Sequence, residues 1–186
     1  PSGVTGGTVR TTGSAGTSFQ FSGLTAGTPY TFKVDAHNSA GWSALSTASA
    51  AVTPYTVPSA VSSLQAANTA TATVRLDWSA PATGFSPITG YSIEESVDGG
   101  TSWSPLAPLV SSASSYTAAS LTPGVGYMFR IRATNIAGDA AWTSSNQVVV
   151  FATPSAPTAL VAVESDGTVT LSWDPVAASV SAPVDS

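Results

Sequence analysis

Leu121-Thr122-Pro123-Gly124-Val125-Gly126-Tyr127-Met128-Phe129-Arg130-Ile131-Arg132-Ala133-Thr134-Asn135-Ile136-Ala137-Gly138 is the stretch that decides the fold. Tyr127, Phe129, Ile131 and Ala133 recur with the period of two that a half-buried β-strand requires. The same pattern occurs earlier in the chain, as Leu24-Thr25-Ala26-Gly27-Thr28-Pro29-Tyr30-Thr31-Phe32-Lys33-Val34-Asp35-Ala36-His37-Asn38-Ser39-Ala40-Gly41, at an offset of 97 residues. Two further matches extend the repeat. Pro58-Ser59-Ala60 and Leu64 match Pro154-Ser155-Ala156 and Leu160 at offset 96, and Trp78 matches Trp173 at offset 95. A period of this length is one β-sandwich of about 100 residues.

Other strand signals fill the period. Val74, Leu76 and Trp78 lie on one face of a run that alternates with Thr73, Arg75 and Asp77. Val169, Leu171 and Trp173 repeat that face, and Tyr91 alternates with Ile93. Gly, Pro, Ser and Asn clusters separate the runs. Asp98-Gly99-Gly100 predicts a hairpin turn, because glycine accepts the positive φ such turns need. No segment carries a 3.6-residue period, so the expectation is an all-β fold.

Each period resembles a fibronectin type III domain, an immunoglobulin-like β-sandwich. The resemblance rests on Pro58 before strand A, Trp78 in strand B, Tyr91 in strand C, Leu121 with Tyr127 at the corner entering strand F, and Ala133-Thr134-Asn135-Ile136-Ala137-Gly138 leaving it. It implies one sheet of strands A, B and E and another of C, C′, F and G. It assigns structural roles to Trp78, Tyr91, Leu121, Tyr127 and Trp173, with both tryptophans in cores. Glu95 departs from the pattern, because strand C often carries a third aromatic there; the departure opens the edge of the core.

Aligning the repeats predicts one complete domain over residues 55–153, the C-terminal part of another over 1–54, and strands A and B of a third over 154–186. Gly6-Gly7 matches Gly99-Gly100, which sets Pro1 opposite Glu94, and Ser186 falls opposite Tyr91. Two readings follow: a window on a longer tandem array, or half-domains that neighbouring chains complete head to tail. Pro54-Tyr55-Thr56-Val57-Pro58 and Thr153-Pro154-Ser155-Ala156-Pro157 form short, proline-stiffened joints. Strands of about 7–8 residues give each bead about 25 Å along a rod.

Composition narrows the function. Charged residues are 8% of 186, against about 25% in an average globular protein. Serine (30) and threonine (25) supply the polar surface instead. The net charge is −5 with five basic residues, so no basic face exists for nucleic acid or for anionic lipid. Cysteine is absent, which excludes disulfides, thiolate metal sites and cysteine nucleophiles. No apolar run approaches the roughly 18 residues of a membrane span.

Chemistry-bearing residues are few. His37, the only histidine, alternates to the outer face with Thr31, Lys33 and Asp35, and the next repeat holds Thr134 there. A catalytic histidine needs a base or nucleophile at hydrogen-bond distance, and the pattern supplies neither. Glu94 and Glu95 are adjacent on a strand and point to opposite faces, so they are not a glycosidase pair. No calcium loop or phosphate-binding glycine loop is present. The expectation is no catalytic residue, cofactor or metal, and a cross-strand ion pair between Glu94 and Arg130 or Arg132. Trp42, Trp103 and Trp142 fall near the F–G and C′ segments, where an aromatic face either packs internally or stacks on a sugar or partner. No Arg-Gly-Asp and no Asn-x-Ser/Thr sequon occurs.

The resemblance implies a non-enzymatic extracellular or cell-surface array: a stalk, spacer or filament segment. Its partners would be neighbouring copies or domains and surface glycans or proteins, and the low charge resembles secreted bacterial arrays. Two alternatives stay open: a phage tail or capsid decoration on the virion surface, and a spacer or glycan-binding module of a polysaccharide-degrading enzyme.

Overall fold

The computed structural model describes Arg10, Gly13 and residues 16–106, 108–110 and 112–176. The matches that involve Gly6-Gly7, Pro1 and Ser186 lie outside them. Every regular element among the described residues is a strand. The chain divides into two compact units, Pro1–Thr56 and Val57–Ser186.

The first unit holds β1 (His37–Asn38) and β2 (Gly41–Trp42), which pair through His37 opposite Trp42 and Asn38 opposite Gly41. The alternating run Tyr30–Ala36 upstream predicts a longer strand. It is extended and bonded at alternate residues, but it does not form an ordinary ladder. Ser43, Ser46 and Ser49 donate their backbone N–H groups to the carbonyls of Ala36, Val34 and Phe32, each at 2.8 Å. The reciprocal bonds come from side chains. The N–H groups of Ala36, Val34 and Phe32 donate to the hydroxyls of Ser43, Ser46 and Ser49 at 2.9, 3.1 and 3.0 Å. Each hydroxyl then donates to the carbonyl of the next residue, Ala44, Thr47 or Ala50. A serine hydroxyl can both accept and donate, so it stands in for a backbone carbonyl. One segment therefore spends three residues for every two on the other.

The second unit contains the sandwich. One sheet comprises β3 (Ser62–Ala70), β4 (Thr73–Ser79) and β8 (Ser115–Ala118), in the order β3-β4-β8. The other is built on β5 (Gly90–Ser96) and β9 (Gly126–Asn135). Short strands complete it: β6 (Ser104–Pro105) and β7 (Leu109–Val110) on β5, and β10 (Gly138–Asp139), β11 (Thr143–Ser144) and β12 (Val148–Val149) on β9. This is the two-sheet arrangement that the resemblance implies. β9 alternates buried and half-buried over its whole length, which puts Phe129, Ile131 and Ala133 in the core. Leu76 and Val74 face them from β4, and Trp78 and Tyr91 meet with ring centroids 5.5 Å apart. Tyr127 is buried at the corner, where its hydroxyl accepts the Thr122 N–H at 3.2 Å. The earlier copy repeats the corner: the Tyr30 hydroxyl accepts the Thr25 N–H at 3.0 Å.

A hairpin of β13 (Val161–Ser165) and β14 (Thr168–Ser172) follows. Its Asp166-Gly167 turn has φ of 49° and 73°, the left-handed pair a tight hairpin needs. None of its side chains is buried. Trp173, expected in a core, is 56% exposed, whereas Trp78 is 6% exposed. Among the described residues no second sheet covers the hairpin as the β5–β9 sheet covers Trp78. That is the physical reason for the difference.

Candidate functional site

The outer face of the β5–β9 sheet carries a contiguous group of ion-paired and aromatic side chains. Alternation along β9 sends Arg130 and Arg132 outward while Phe129 and Ile131 point in. Glu94 stands directly across from Arg130 in the register of β5 and β9. Arg130 Nε donates to Glu94 Oε2 at 2.7 Å, and its terminal amino group donates to the same oxygen. Arg132 pairs with Asp139 at 2.9 Å, and the Thr134 hydroxyl donates to Asp139 at 2.7 Å.

Two tryptophans interleave with these arginines. The Arg130 guanidinium lies 4.5 Å from the ring centroid of Trp103 and 4.4 Å from that of Trp142. Arg132 lies 4.5 Å from Trp142. The four side chains form a stack, Trp103–Arg130–Trp142–Arg132, in which each contact is a cation–π pair. The Asp98-Gly99-Gly100 turn seats its first member. Trp103 Nε1 donates to the Gly100 carbonyl at 3.0 Å, and Gly100 has φ of 90°. The positive φ favours glycine at Gly100, and a Cβ there would crowd the Trp103 ring at 3.3 Å. Asp98 holds the turn by accepting from the Ser102 hydroxyl and N–H, the Ser96 hydroxyl and the Thr101 N–H. Those bonds, the Ser102 hydroxyl first, hold its carboxyl well below the usual carboxylate range.

This geometry bears on each aromatic singled out from the sequence. A sugar stacking on Trp103 or Trp142 must compete with a guanidinium for the ring face. Trp42 is different. It is 50% exposed, and its ring lies 4.5 Å from His37 across the β1–β2 hairpin. His37 has no nucleophile or carboxylate among its hydrogen-bonded or ion-paired partners in the described residues, and no group of three His, Cys, Asp or Glu side chains there is placed to hold a metal ion. Glu95 sits at the edge of the core, opposite Phe129 in register. Its Oε2 is buried without a partner, and burial pushes its carboxyl up. Sequence reasoning placed Glu94 against Arg130 but missed the stack, because Trp103, Arg130 and Trp142 lie on three separate segments. It also missed the hydroxyl ladder, whose signal is the Ser43-x-x-Ser46-x-x-Ser49 spacing.

Two antiparallel sheets, a tyrosine corner and an outer face given over to internal stacking define an immunoglobulin-like β-sandwich. The chain belongs to the fibronectin type III family, whose model matches residues 2–52 and 59–150. It is similar to Protein sidekick of Drosophila melanogaster, with 33% identity over 148 residues, covering 75% of this chain and 6% of that protein. It is also similar to M-protein of striated muscle from Gallus gallus, with 34% identity over 124 residues, covering 64% of this chain and 9% of that protein. The chain thus spans less than a tenth of the length of these curated relatives. Among solved structures, titin domains A168–A170 match the fold with a TM-score of 0.51 and 23% identity, over 67% of this chain and 41% of theirs.

Proposed function

We propose that the chain is a segment of a non-enzymatic extracellular array of fibronectin type III domains, serving as stalk, spacer or filament segment. It comprises the C-terminal part of one domain over 1–54, a complete domain over 55–153 and strands A and B of a further domain over 154–186. The observation that carries this reading is the repeat: the same tyrosine corner closes at Tyr30 and again at Tyr127, with short proline-rich joints between repeats. Relatives in which such a segment is a small part of a long chain support a modular role. Function then resides in length, stiffness and repeated weak contacts, where multivalency raises avidity without a strong single site. Partners are neighbouring domains of the same array and, through the exposed face of Trp42, a surface glycan or protein.

The test is an array of polysaccharides and cell-surface proteins probed with the intact chain and with Trp42→Ala. The expected result is weak binding lost in the variant. If nothing binds the intact chain, or the variant binds equally, the contact role of Trp42 fails and the spacer role is left alone.

A further inference from the structure

Two asparagines join the sheets of the complete sandwich along one side. β3 pairs with β4, and β11 and β12 pair with β9, so β3 and the 143–151 segment belong to different sheets. Where they meet, Asn146 serves Ala66 as a second peptide group would. Its Oδ1 accepts the Ala66 N–H and its Nδ2 donates to the Ala66 carbonyl, each at 3.1 Å. Asn68 does the same in the other direction. Its Nδ2 donates to the Val149 carbonyl at 2.8 Å, and its Oδ1 accepts the Phe151 N–H at 3.2 Å. The Thr143 hydroxyl adds a fifth bond, donating to the Val61 carbonyl at 2.6 Å. A carboxamide holds both an acceptor and donors, so one Asn can satisfy both kinds of backbone group.

The order of these contacts gives the seam a direction. Val61, Ala66 and Asn68 meet Thr143, Asn146 and Val149–Phe151 in that sequence, so the two segments run parallel. The chain enters the domain through residues 57–61 and leaves it after 151, with a proline-rich joint on either side. Tension applied through the joints therefore drives the two segments past each other along their length. It strains all five bonds together, whereas a force that spreads a strand pair opens its bonds in turn.

The flanking repeats carry other residues at these positions. Glu164 stands opposite Val169 as Asn68 stands opposite Val74. Ala50 follows Ser49 as Asn146 follows Ser145, and Ser49 bonds to Phe32 as Ser145 bonds to Phe129. An ionised carboxylate has no donor for a carbonyl, and an alanine side chain has neither donor nor acceptor.

We infer that the Asn68–Asn146 seam is a load-bearing clamp, loaded in shear and particular to this repeat. It goes beyond the spacer reading and does not depend on it, because resistance to force is a property of the domain itself.

Single-molecule force spectroscopy of the full chain tests it. The sequence has no cysteine, so Thr56→Cys and Thr153→Cys place one handle in each joint. Under constant force through these handles, Asn68→Ala and Asn146→Ala, the second of which installs the residue of the first repeat, are each expected to speed unfolding about tenfold. Ile93→Val shortens a core side chain on β5, and its cost in urea of about 0.5–1.5 kcal/mol is similar. It should speed unfolding under force far less. Rates that simply follow the urea midpoints of the three variants overturn the inference, and so do unchanged rates in both asparagine variants. A second measurement needs no change in the seam. Ser62 stands opposite Ser79, so handles at Thr56→Cys and Ser79→Cys open β3–β4 pair by pair. The domain is expected to withstand a clearly higher force through the joint handles than through these. Equal forces in the two geometries overturn the clamp. Each of these results leaves the spacer reading standing.

Discussion

The stretch Leu24–Gly41 and the stretch Leu121–Gly138 share a sequence pattern but not an environment. In the second, Phe129, Ile131 and Ala133 are sealed by a facing sheet. In the first, Val34 lies 71% exposed, and Phe32 touches Phe21 and Tyr30 but, among the described residues of its unit, no opposing sheet. The corner hydroxyl closes in both, and one edge of each strand is bonded, residues 30–36 to residues 43–52 and β9 to β11 and β12; among the described residues only β9 is bonded along its other edge as well, to β5. The difference separates two contributions that usually arrive together. Local hydrogen bonding shapes the strand; burial of the apolar face stabilises it.

The largest test of that separation is a pair of truncations. Phe129→Ala removes a fully buried ring and should cost the sandwich about 3–5 kcal/mol. Phe32→Ala removes a half-buried ring and should cost less, about 1 kcal/mol. Hydrogen exchange reads both, because protection along β9 falls further in the first variant than protection over residues 30–36 does in the second. Comparable losses would erase the contrast.

A smaller effect is expected at the serines. The Ser145 hydroxyl accepts the buried Phe129 N–H at 3.0 Å, as Ser49 does for Phe32. Ser145→Ala leaves that N–H unsatisfied in the core and should cost about 1–3 kcal/mol. Ser46→Ala lets water take the exposed Val34 N–H and should be close to neutral. Urea midpoints of the two variants decide it. The corner tyrosines come next. Tyr127→Phe loses a part-buried hydrogen bond and should destabilise the sandwich by about 1 kcal/mol, read as a lower urea midpoint. Tyr30→Phe should fall below that, and an unchanged midpoint for Tyr127→Phe would remove the corner bond from the account.

The smallest effect is electrostatic. Asp98 is held below the usual carboxylate range in the folded chain, so its bonds add stability above the unfolded pKa of about 3.9 and lose it as pH falls from there. Asp98→Asn should therefore flatten the decline in the sandwich's midpoint below about pH 4 relative to wild type. It should leave the first unit unchanged. An unaltered acid limb would show that the turn does not depend on the carboxylate.

Much of the fold was legible in the sequence because its signals are local. Alternation at Tyr127–Ala133, the Leu121–Tyr127 spacing and the glycines of the Asp98 turn each lie within one segment and fix one element. Glu94 against Arg130 was legible because a two-residue period names the outer face and the family pattern names the neighbouring strand. The stack of Trp103, Arg130 and Trp142 was not, since it depends on how three segments meet after folding. Trp173 shows the opposite failure. Its local pattern matches that of Trp78, and only the facing sheet makes one a core residue and the other a surface one.

The serine ladder has a mechanical consequence. Each rung between residues 32–36 and 43–49 joins one serine by a backbone donor and a hydroxyl acceptor, and the next rung lies three residues on. If the chain is pulled from the Thr53 side, the segment peels away one rung at a time, and each rung releases three residues, about 10 Å of slack. An ordinary antiparallel pair releases two. Under load such a seam behaves as a fine-toothed shock absorber, lengthening in small equal steps and closing again tooth by tooth when the tension falls.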